Sequence, residues 1–258
     1  MSTRTRSALP PSDVRELGTV LGVWAHPDDE AYLSAGLMAR ARSAGLRVVV
    51  ATATRGEHGT SDPEAWPPGR LGPVRERELS DSLAAVGVTE HHWLGHRDGD
   101  LDRHPLSAGA ALVAELIELV RPDTIITFGP DGMTGHPDHR AVSGWVHRAW
   151  RLTDRRARLW YATVTPGFHA TWGRLNQEIG LWFPGSRPPV TSYPDLAARV
   201  ACEGPLLEAK YSALRAHATQ TDPLVELMGE PRFRRWWAEE AFVAAEEIAP
   251  PLTDFPGG

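Results

Sequence analysis

Over residues 19–165, short apolar runs alternate strictly with longer helix-forming stretches, and this alternation restricts the fold more than any other feature of the chain. Runs of strand length lie at 19–25, 47–54, 91–94, 124–128 and 158–165. Between them, residues 31–44, 75–86, 108–120 and 141–152 predict helices, with Gly45 and Gly87 closing the first two. Strands joined through helices form right-handed βαβ units, so the expected class is α/β with a mostly parallel sheet. In such sheets, ligands bind beyond the carboxyl ends of the strands.

Two of those ends carry related turns. Ala25-His26-Pro27-Asp28-Asp29-Glu30 follows the first apolar run, and Gly135-His136-Pro137-Asp138-His139-Arg140 follows the fourth. Proline suits the first helical position and carboxylates suit the first turn, so each unit predicts a helix start. His26 and Asp29 are three apart and share a face of that turn. With His139 they give two imidazoles and one carboxylate, which leaves one position open on a catalytic zinc ion. Asp28 is rotated by ~100° from Asp29 and suits a general base beside the metal. His136 as a fourth ligand would close the site, so it is placed outside, donating to an oxyanion. Asp138 either orients His136 or complements the helix dipole.

Composition narrows the chemistry. The chain has 258 residues, 41% of them apolar and 23% charged, which suits one large globular domain. A net charge of −6 gives no footprint for nucleic acid and none for an anionic membrane surface. Cys202 is the only cysteine, so disulfides and thiolate clusters are excluded, and any metal needs His, Asp or Glu. No apolar run approaches the ~20 residues of a membrane span, and no signal-like core follows the basic start. The expected location is the cytoplasm.

The remaining segments are less regular. Residues 1–17 predict a flexible arm, and 18–258 a single domain. Residues 55–73 read as a Gly- and Pro-rich loop. Residues 166–195 are aromatic and rich in Pro and Gly, and predict a substrate-capping segment; Trp172 and Trp182 either stack on a sugar or pack that cap. Farther on, 199–203 predicts a strand, 205–218 a helix, and 234–247 a helix turning to strand near Phe242 and Val243. The triplet Asp98, Asp100, Asp102 lacks the Gly and Glu of a calcium loop, since Arg103 and Gly109 stand there.

The paired turns resemble the LmbE-like (PIG-L) family of zinc-dependent N-deacetylases, over about Val20 to Gln220. The resemblance implies a Rossmann-like three-layer fold with a small C-terminal cap. It implies hydrolysis of an N-acetylglucosaminyl or similar amide by metal-activated water. Carried over, His26, Asp29 and His139 match the zinc ligands, Asp28 the base and His136 the oxyanion donor. Arg75 resembles a substrate-binding arginine, Asp98 an acid that binds sugar hydroxyls, and His217-Ala218-Thr219-Gln220 a stretch that closes the pocket. The expected partner is a small N-acylated sugar or sugar conjugate, and a homo-oligomer is left open. Two alternatives stand beside this: an amidase of a larger, mycothiol-conjugate-like thiol adduct, and a non-catalytic sugar-binding module.

Overall fold

The computed structural model describes residues 14–245. Seven strands form one sheet among these residues: β1 (Val20–Trp24), β2 (Val48–Thr52), β3 (Glu90–Trp93), β4 (Thr124–Phe128), β5 (Arg158–Thr163), β6 (Ala198–Ala201) and β7 (Glu239–Ala244). Their order is β3-β2-β1-β4-β5-β7-β6. The first five pair in parallel, as the alternation predicts. β1, β2 and β4 are buried along their whole lengths, which is why they read as continuous apolar runs.

The helices are α1 (Asp29–Ser43), α2 (Pro68–Ala85), α3 (Leu106–Val120), α4 (Pro137–Leu152), α5 (Pro166–Glu178), α6 (Gly204–Ala216), α7 (Ala218–Met228) and α8 (Glu230–Trp236). α6 packs on α1 and α2, while α3 packs on α4. The result is a three-layer α/β fold. β1 is flanked by β2 on one side and β4 on the other, so chain order reverses at β1. A crevice at such a reversal is where open α/β sheets bind ligands.

Several expectations change. Residues 14–17 of the expected arm form a short 3-10 helix, anchored by buried Leu17; residues 1–13 lie outside the described part. The expected loop at 55–73 ends early, because α2 begins at Pro68 and runs through Pro73. Pro68 stands at the start, where its missing N–H is not needed, and burial of Leu71, Arg75, Glu78 and Leu79 holds the helix across Pro73. The expected capping segment contains a full helix, α5, whose Thr165 cap accepts from the Phe168 N–H. α7 was not expected, since Pro223 lies inside it. Of the expected 234–247 helix, only residues 234–236 are helical, as the end of α8, and the expected turn to strand near Phe242 and Val243 comes earlier, with β7 starting at Glu239. β7 runs antiparallel between β5 and β6, and pairing there outweighs local propensity.

β7 also braces α1. Glu240 accepts from the N–H groups of Gly36 and Leu37 at 2.7 and 2.8 Å. An uninterrupted helix directs those N–H groups to the carbonyls of Tyr32 and Leu33. Lys210, from α6, donates to the carbonyls of Ala31 and Tyr32 and pairs with Glu240. A buried ion pair is thus wedged against the backbone of the helix that begins at Asp29.

Candidate metal centre and pocket

β1 and β4 pair directly, so the turns that follow them emerge side by side. The first runs straight into α1. The second passes through a Gly-rich loop and starts α4, with His136 as the N-cap residue and Pro137 next.

There, His26, Asp29 and His139 converge, all nearly buried. His139 Nε2 lies 3.3 Å from His26 Nδ1 and 3.3 Å from Asp29 Oδ1. His26 Nδ1 lies 3.7 Å from Asp29 Oδ2. Ligand atoms placed tetrahedrally around zinc at roughly 2.0–2.2 Å lie roughly 3.3–3.6 Å apart. The donor set therefore fits one divalent ion.

The other imidazole nitrogens are fixed by the chain. His139 Nδ1 donates to the Gly132 carbonyl at 3.0 Å, and the ring stacks on Phe128 with centroids 4.1 Å apart. His26 Nε2 faces Asp98 Oδ1 at 3.0 Å and Asp138 Oδ2 at 3.2 Å. Both rings therefore present a lone pair to the shared centre. The Asp29 carboxylate is braced by the His26 N–H at 2.8 Å. Burial lowers the basicity of both rings. At His139 repulsion from His26 adds to it, bringing the pKa down to about 3. At His26, bonds to Asp138 and Asp98 outweigh burial and push the pKa up to about 10. A metal bound there displaces that proton.

Asp28 sits beside the ligands and lines the same cavity. Burial raises its pKa to about 6, against the pull of Arg75. His136 also lines the cavity; its Nδ1 accepts from the Asp138 N–H at 3.1 Å, which puts its proton on Nε2. Burial, with repulsion from His26 and His139, lowers its pKa to about 4, so the ring is neutral near pH 7.

Three further charged groups surround these residues. The Asp138 carboxylate is fully buried; it accepts from Gly99 and Leu101 N–H groups and meets His26, not His136. It therefore orients the His26 ring. Asp98 borders the cavity, but its two oxygens meet His26 and the His58 N–H. Arg75 also borders it, yet its terminal nitrogens donate to Gly56, Pro27 and Asp28. Both groups brace the site from within. The 217–220 stretch does flank the pocket: Gln220 lines it and donates to the Gly59 carbonyl, while Thr219 is tied to Glu78.

The cavity measures about 510 Å³. One wall was not foreseen: Tyr32, Ile179, Leu181, Leu224, Trp236 and Trp237 make it apolar. Tyr32 packs edge-on against both tryptophans. These residues come from four separate segments, and no local pattern joins them.

The description of the PIG-L family, GlcNAc-PI de-N-acetylase, matches residues 21–150, half of the chain. The 1D-myo-inositol 2-acetamido-2-deoxy-alpha-D-glucopyranoside deacetylase of Saccharomonospora viridis is 32% identical over 228 residues, covering 78% of this chain and 84% of that one. In fold, the chain is similar to the N,N'-diacetylchitobiose deacetylase of Pyrococcus horikoshii, with a TM-score of 0.63 and 21% identity over 94% of this chain and 92% of the other. It is also similar to a teicoplanin deacetylase in a zinc-inhibited form, with a TM-score of 0.58 and 14% identity over 89% of this chain and 100% of the other. By sequence, and in keeping with its fold, the chain belongs to the PIG-L (LmbE-like) family of de-N-acetylases.

Proposed function

We propose that the chain is a zinc-dependent hydrolase that removes the acetyl group from an N-acetylglucosaminyl unit of a small conjugate. The observation that carries this reading is the convergence of His26, Asp29 and His139 at tetrahedral spacing, with Asp28 and His136 beside them in one cavity. The Saccharomonospora viridis relative, named for the deacetylation of an inositol-linked 2-acetamido sugar, supports the substrate class.

Zinc bound by the three ligands would polarise the acyl carbonyl and acidify an attacking water. Asp28 accepts the proton of that water as its oxygen bonds to the acyl carbon. The raised pKa of Asp28 keeps it a usable base near neutrality and lets it return the proton to the departing amine. The Nε2–H of His136 donates to the oxyanion that forms meanwhile. Cleavage of the C–N bond then yields acetate and the free amine.

The apolar wall supports a second reading, an amidase that removes a larger group or acts on a bulkier conjugate. The test uses zinc-reconstituted protein with N-acetylglucosaminyl-inositol and with amides carrying larger acyl groups. Acetate release that depends on added zinc supports the first reading. Preferential turnover of the larger amides supports the second, and zinc binding with no turnover of either sinks both.

A further inference from the structure

The peptide that joins Pro27 to Asp28 is gripped at both of its polar atoms. Its carbonyl accepts from Arg75 Nη2, and its N–H donates to Glu30 Oε2 at 3.0 Å. The same Arg75 nitrogen reaches Asp28 Oδ2 at 3.1 Å. Asp28 stands at φ 108°, a backbone region that residues with a side chain rarely adopt. Such a conformation persists only where the surroundings over-determine it.

Glu30 is an unusual first-turn carboxylate. Such groups ordinarily face water and complement the helix dipole. Glu30 is instead fully buried. Its Oε1 accepts from Ser82 Oγ and from His217 Nε2, each at 2.9 Å. His217, also fully buried, comes from the turn between α6 and α7, 187 residues away in sequence. Its ring Nε2 gives that buried carboxylate the donor it needs. None of these contacts touches a metal-ligand atom. Through Glu30 Oε2 they lead to the backbone N–H of the base.

We propose that Glu30, held in place by His217, is a positioning residue that locks the Pro27–Asp28 peptide and so aims the Asp28 carboxylate at the substrate. The proposal rests on the reading of Asp28 as the general base. His217 acts through Glu30, and Glu30 acts through Asp28.

The test is a double-mutant cycle in the full-length, zinc-reconstituted protein, read as acetate release from an N-acetylglucosaminyl substrate. Glu30→Gln keeps the shape but offers one acceptor oxygen to three donors. The expected result is a kcat lower by roughly 10- to 100-fold, with KM within about threefold and zinc content unchanged. In an Asp28→Ala background, Glu30→Gln should lower the residual rate by no more than about twofold, because the group it positions is gone. Equal losses in both backgrounds, or a kcat within about twofold of wild type for Glu30→Gln alone, would overturn the proposal. If Glu30→Gln does not fold, His217 gives the same answer. His217→Gln can still donate to Glu30 and should stay within about threefold of wild type, whereas His217→Leu should lose at least about tenfold in kcat. Matching losses for the two would also overturn it. A wild-type protein that binds zinc yet releases no acetate removes the deacetylase reading itself, a result distinct from an active enzyme indifferent to Glu30.

Discussion

Lys210 Nζ lies 2.6 Å from Glu240 Oε1, and both side chains are essentially sealed from solvent. The pair also bonds backbone N–H and carbonyl groups inside α1, and not only one another. Removing either partner leaves a buried charge and unpaired backbone groups. Lys210→Met and Glu240→Ala should each destabilise the fold by ~3–5 kcal/mol, and the double variant by less than their sum. Urea unfolding of the four proteins checks this; single losses below ~1 kcal/mol would show that the wedge is not structural.

Asp138 bonds to His26 across 112 residues of sequence and contributes no atom to the three-ligand set. Asp138→Asn should therefore weaken zinc binding by roughly 10- to 100-fold without removing a ligand. Competition with a chromophoric chelator measures the affinity. An unchanged constant would mean that Asp98 alone orients the His26 ring.

Asp28→Asn should retain zinc and lower kcat by roughly 10²- to 10⁴-fold, the usual contribution of a positioned general base. Steady-state kinetics with parallel metal analysis separates this from loss of the ion. Near-normal turnover with zinc bound would move the base elsewhere.

The Glu30–His217 pair should shape stability against pH. Burial opposes ionisation of both groups, and each partner's charge outweighs it, so His217 is raised from 6.5 and Glu30 lowered from 4.5. The His217 contribution is complete below about pH 6.5 and fades as pH climbs through its folded pKa. The Glu30 contribution is complete above about pH 4.5 and fades as pH falls through its folded pKa. The difference in unfolding free energy between wild type and His217→Leu should thus be greatest between about pH 4.5 and 6.5 and shrink on either side. A difference independent of pH would mean that the pair is not ionised.

The parallel half of the sheet was legible because β1, β2 and β4 are buried on both faces and so read as unbroken apolar runs. The two His-Pro-Asp turns were legible because each begins a helix at a strand's carboxyl end, which local residue chemistry announces. β7 was legible only in part: Phe242 and Val243 read as strand, but the start of the strand at Glu239 comes from pairing with β5 and β6 rather than from its own neighbours. The inward roles of Arg75 and Asp98 were hidden for the same reason. The family resemblance gave them as groups facing a substrate, and their bonds to Pro27, Gly56, His26 and His58 appear only in the fold. Glu30 looked like one of three first-turn carboxylates, since nothing near it in sequence marks Ser82 or His217 as partners.

β7 slots in between two strands made before it, and through Glu240 it steadies the helix that begins at Asp29. The ribosome delivers Asp29 more than two hundred residues before it delivers that steadying carboxylate. An emerging polypeptide thus holds His26, Asp29 and His139 while the scaffold under one of them is still unfinished. Among the described residues that carboxylate lies on the last strand, so the front of the molecule gains its support only once most of the chain has been made.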